Sequence, residues 1–108
     1  SVSTAAFADD GSTQSNAPAQ TSVGITAAEI LAANPIRKSF SVLNTGTTVI
    51  KLTLSDTDPT QTVYHFALKA ASAADAGDGG ALLDDEWKGA VRAISAAAGG
   101  TAVVTETT

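Results

Sequence analysis

Apolar and polar residues alternate along this chain in short bursts, with turn-forming residues between them, and that rhythm predicts strands. From Thr21 onward, Val23 and Ile25 are spaced by two and read as a first strand. Thr26-Ala27-Ala28-Glu29 then satisfies the S/T-x-x-E capping box ahead of Ile30 and Leu31, which predicts one short helical turn. Asn34-Pro35 ends it, because a residue before proline is pushed out of the α region. Arg37 to Asn44 sets Lys38, Phe40 and Val42 against Ser39, Ser41 and Leu43. After the turn Asn44-Thr45-Gly46-Thr47, Ile50, Leu52 and Leu54 face a core while Val49, Lys51 and Thr53 face out, so the two segments read as a β-hairpin. Asp56-Thr57-Asp58-Pro59 closes its second strand.

Val63 to Ala70 alternates again, with Tyr64, Phe66 and Leu68 on one face and His65, Ala67 and Lys69 on the other. The Ala-rich run up to Gly80 is broken by Gly77, Gly79 and Gly80 and reads as a long loop. Gly80 to Asp84 is a short apolar strand with Asp84-Asp85-Glu86 at its exposed end. In the last third, Trp87, Val91, Ile94 and Ala98 fall near helical spacing. Gly89, the Gly99-Gly100 turn and the β-branched run TAVVTET favour instead a hairpin of GAVRAIS with TAVVTE, provided a bulge or two-faced burial brings both Val91 and Ile94 inside. About seven short strands follow, spaced roughly 8–12 residues apart, the pattern of an all-β antiparallel β-sandwich or jelly roll with one helical turn.

Composition sharpens this picture. At 108 residues the chain holds one core. Residues 1–20 carry no positive charge and only Val2 and Phe7 as sizeable apolar groups, so they read as a flexible N-terminal arm preceding a β-sandwich domain over 21–108. Two readings of Phe7 stay open: part of a tail without a role, or an anchor on a neighbouring subunit. The hydrophobic fraction is 44%, but 22 of those residues are alanine, leaving 25 larger apolar side chains for a thin core. Thin cores gain stability by association, so a homo-oligomer is expected.

A net charge of −5 and a single adjacent basic pair, Arg37-Lys38, argue against nucleic acid as a partner. No apolar run approaches the ~20 residues of a membrane span, and nothing has the pattern of a signal peptide, so a soluble protein made in a cytoplasm is expected. Cysteine is absent, which excludes disulfides and thiolate metal sites.

The order of segments resembles the small all-β decoration, or cement, proteins of tailed-phage capsids. An apolar Asn-Pro stretch leads into an Arg-containing core strand (ILAANPIRKSFSVLN), and a turn and second strand follow (TGTTVIKLTLS). Then come a Gly-rich loop with a strand ending in acids (GDGGALLDDE), an aromatic-x-Gly-x-Val-x-Ala-Ile segment beginning at Trp87, and a Val-rich last strand. The similarity covers residues 25 to 106 and lies in order and spacing; the 56–62 and 70–80 tracts and the arm fall outside it. It implies a non-enzymatic virion protein on the outer capsid surface, partnered by the major capsid protein, binding as a symmetric oligomer, plausibly a trimer. Phe7, Arg37 and Trp87 are then the candidate partner-binding residues.

The residues supply little else. His65 is the sole histidine and no Gly-x-Ser-x-Gly elbow exists, so no catalytic residue is assigned and no enzyme is expected. Asp56 with Asp58, Asp75 with Asp78, and Asp84-Asp85-Glu86 are oxygen-rich, but none has Ca²⁺-loop spacing, and no metal or cofactor is assigned. The competing function is a carbohydrate-binding or adhesion β-sandwich module, for which Trp87 would be the stacking ring; the alternative role of Trp87 is a partly buried anchor for the last hairpin.

Overall fold

A computed structural model describes residues 16–108. Eight strands form in chain order: β1 Ala19–Val23, β2 Ala28–Leu31, β3 Ser39–Asn44, β4 Ile50–Thr53, β5 Phe66–Leu68, β6 Ala81–Asp84, β7 Val91–Ser95 and β8 Gly100–Thr107. They make two antiparallel four-stranded sheets with orders β1-β8-β3-β6 and β2-β7-β4-β5, and no helix occurs among the described residues. β1 begins at Ala19, so the ladder with β8 takes in the last two residues of the segment read as an arm. Phe7 lies outside the described residues.

One core lies between the sheets in a sandwich-like arrangement. Val23, Phe40, Val42, Ala102 and Val104 come from the first sheet, and Ile50, Leu52, Leu68, Val91 and Ala93 from the second. Alternation is visible in the burial of β3, where Phe40, Val42 and Asn44 point inward between half-exposed Ser39, Ser41 and Leu43.

Both expected hairpins are corrected. β3 belongs to the first sheet and β4 to the second, and the same holds for β8 and β7; each pair crosses the core instead of sharing a ladder. Only β4 and β5 are consecutive in sequence and hydrogen-bonded to each other. Alternation tells which face of a strand is buried, and both members of each pair do bury one face, but it does not tell which neighbour supplies the ladder. The β3–β4 arch is held by Asn44, whose Nδ2 donates to Thr48 O at 2.8 Å and Leu68 O at 3.1 Å while its Oδ1 accepts Gly46 N–H at 3.0 Å.

The expected helical turn is also corrected: Ala28–Leu31 is a strand paired to β7. An isolated turn fixes several dihedrals for one hydrogen bond, whereas the edge of β7 offers a ladder to the same residues. A register irregularity between Glu29 and Leu31 lets both Ile30 and Leu31 pack partly against the core.

Val91 and Ile94 are both buried, through burial on two faces. Val91, Ala93 and Ser95 face the core, so Arg92 and Ile94 face outward. Above them lies the β4–β5 connection, whose Asp58 pairs with Arg92 and whose Gln61 Nε2 donates to Ser95 O at 2.8 Å. Of the face read as Tyr64, Phe66 and Leu68, Leu68 is buried while Phe66 is 40% and Tyr64 41% exposed. The 69–80 loop passes so close to β3 that a Cβ on Gly79 would stand 1.9 Å from Asn44 O.

Leu52 is fully buried and Leu83 is 75% exposed. Leu52→Ala is therefore expected to cost about 2–5 kcal/mol in denaturant unfolding, and Leu83→Ala no more than about 0.5 kcal/mol.

Candidate functional site

Arg37 stands at the end of a tight turn built by its own sequence. Asn34 occupies the first position and Pro35 the second, Arg37 N–H closes on Asn34 O at 3.1 Å, and Asn34 Oδ1 accepts Ile36 N–H at 3.2 Å. The turn aims the guanidinium inward, where Nε meets Glu106 Oε2 at 2.8 Å. Nη1 donates to Trp87 O and to Gly89 O, each at 3.0 Å, and Nη2 donates to Ala32 O at 2.6 Å. The Phe40 ring lies beneath, its centroid 5.3 Å from Cζ. Lys88 Nζ donates to the carbonyl of Arg37. With Arg37 1% exposed, its guanidinium serves as a tie between separate segments of the fold.

Trp87 is half-buried against the core. Its indole N–H donates to Ala90 O at 2.8 Å, and its ring occupies the space where a Cβ on Gly89 would come within 2.3 Å. Asp84 Oδ2 accepts the N–H groups of Trp87 at 2.8 Å and Glu86 at 3.2 Å, so the acidic end of β6 forms the turn that sets the ring in place. The anchoring role considered for Trp87 fits this geometry. The structure thus brings Arg37 and Trp87 together through a backbone carbonyl, as parts of one internal tie.

Among the described residues no group of three or more His, Cys, Asp or Glu could hold a metal ion. Asp78 accepts Ser72 N–H at 2.9 Å and organises its own loop.

The sequence reading missed the concave surface formed by the β4–β5 connection. A recess of about 300 Å³ is lined by Thr53, Ser55, Thr57, Asp58, Val63, Tyr64 and His65. His65 Nδ1 accepts Leu54 N–H at 3.0 Å, which places the proton of the neutral imidazole on Nε2. Tyr64 is 41% exposed, with Lys51 Nζ 5.3 Å from its ring centroid. The unusual length of the connection, residues 54–65 between β4 and β5, was the signal available in the sequence.

No family model matches the chain, and no curated protein or solved structure matches it.

Removing the guanidinium leaves Glu106 and three carbonyls without their donor. Arg37→Ala is expected to destabilise the chain by about 3–5 kcal/mol, and Arg37→Lys to recover only part of this in thermal or denaturant unfolding, since an ammonium lacks the planar fork.

The Ser72 hydroxyl first, and then its backbone N–H, hold the Asp78 carboxyl below its ordinary value. A carboxylate with a depressed folded pKa contributes stability above its unfolded pKa, and loses it as pH falls through the folded one. The Ser72 amide resonance is accordingly expected to titrate with a midpoint below the ~3.9 of an unperturbed aspartate.

Proposed function

We propose that this chain is a virion structural protein, a decoration or cement protein that binds the outer surface of a tailed-phage capsid and reinforces the head. One observation carries the reading. The segments on which the resemblance rests, ILAANPIRKSF, EWKGAV and the end of β8, meet at a single buried guanidinium through Ala32, Trp87, Gly89 and Glu106. The order and spacing behind the resemblance thus fall on residues that build a common body, and the outer face of the β1-β8-β3-β6 sheet, where Leu83 is 75% exposed, is left for contact.

The fold in this reading is a jelly roll. The orders β1-β8-β3-β6 and β2-β7-β4-β5 support it, since such a roll arises when consecutive strands pass repeatedly from one sheet to the other. The partner is the major capsid protein, and the working unit is a homo-oligomer, a trimer in the family it resembles. The protein is made in the host cytoplasm and resides on the virion surface. Its mechanism is linkage: a protein that binds only the closed shell lowers the free energy of that state, by about 2.7 kcal/mol per site when its free concentration is 100 times the dissociation constant.

Purified full-length chain mixed with tailed-phage heads is expected to co-sediment saturably and to raise the temperature at which the heads release DNA. Size measurement of the chain alone is expected to give an oligomer. A monomer that stays in the supernatant and leaves head stability unchanged overturns the proposal.

A further inference from the structure

We propose that the recess formed by the β4–β5 connection is a binding site for a single neutral sugar ring. The connection is held in shape as a binding surface requires. Thr53 Oγ1 donates to Thr57 O at 2.6 Å, Ser55 Oγ accepts Thr57 N–H at 3.0 Å, and Thr60 Oγ1 accepts Val63 N–H at 2.9 Å. Lys51 Nζ donates to Gln61 O at 2.6 Å, Pro59 is fully buried, and Asp58 is tied to Arg92. These contacts fix the backbone before any ligand arrives, so little ordering cost is left to binding.

The groups left over define the ligand. His65 Nε2–H is a donor with no acceptor among the described residues, and the second carboxylate oxygen of Asp58 is an acceptor with no donor there. The recess is also lined by the 41% exposed Tyr64 and the 68% exposed Val63, an apolar surface beside polar groups. A pyranose presents the matching surface: a C–H face that lies on an aromatic ring, edged by hydroxyls that each donate and accept. Arg92 is paired with Asp58, and Lys51 Nζ is engaged by Gln61 O and the Tyr64 ring, so neither cation is left over for a phosphate or carboxylate ligand. Its volume of about 300 Å³ lies at the lower end of ligand pockets and suits one ring better than an extended chain. The site is separate from Trp87 and does not depend on the capsid role.

Titration of the ¹⁵N-labelled full chain with glucose, galactose, mannose and N-acetylglucosamine, alongside glycerol and glucose 6-phosphate, tests the assignment. At least one neutral sugar is expected to shift the Thr57, Tyr64 and His65 amides saturably, with a dissociation constant on the order of 1 mM for so small a ligand in an open recess. Tyr64→Ala and Asp58→Asn are expected to weaken it at least about tenfold, while Leu83→Ser leaves it unchanged, with amide spectra confirming that each variant is folded. The proposal is overturned if no neutral sugar moves these amides, if glycerol moves them equally, if only the sugar phosphate binds, or if the shifts survive in folded Tyr64→Ala.

Discussion

The buried guanidinium of Arg37 is the constraint on which one end of this molecule depends. Strands that keep crossing between two sheets leave their connections stacked at the ends of the body, with backbone carbonyls turned away from any ladder. Ala32 follows β2, Trp87 and Gly89 lie between β6 and β7, and Glu106 belongs to β8, so three separate stretches of chain reach the same point. A planar group with five N–H donors can serve all of them at once, which no apolar side chain could do. Burying the charge carries a desolvation cost, but the carboxylate and three carbonyls replace the lost water, and no buried side-chain nitrogen or oxygen among the described residues lacks a partner.

The opposite end of β3 is organised by a neutral counterpart. Asn44 ties the β3–β4 arch to the end of β5, and the 69–80 loop presses against it through Gly79. Among the described residues the buried core cluster has ten members, two of them alanine, which gives limited burial, so polar residues at both ends of one central strand share the work of fixing how the sheets sit. Arg37 and Asn44 are among the largest fully buried side chains for this reason.

Strand positions and inward faces were largely legible in the sequence, because a period of two in Phe40-Val42, Ile50-Leu52 and Ala102-Val104 records burial directly. Strand partners were not, since the same alternation serves a hairpin and a crossing equally well. Thr26 to Glu29 shows the limit of local signals: a capping box is present, yet a neighbouring strand edge decides the outcome. At the candidate sites, Arg37 and Trp87 stood out as residues, but that they meet depends on contacts about fifty positions apart. The recess around Tyr64 was hidden for the opposite reason. Its polar groups look like ordinary turn chemistry until the fold lays the connection over Arg92 and Ile94.

The place of β8 bears on how the protein is born. Gly100–Thr107 sits between β1 and β3 and supplies the ladder partner of β1. While a ribosome still holds residues 100–107, the first strand has nothing in its own sheet to pair with, and one side of β3 stays bare. Domains generally fold as units, and this sheet cannot complete the ladders of β1 and β3 until Gly100–Thr107 is available to join them.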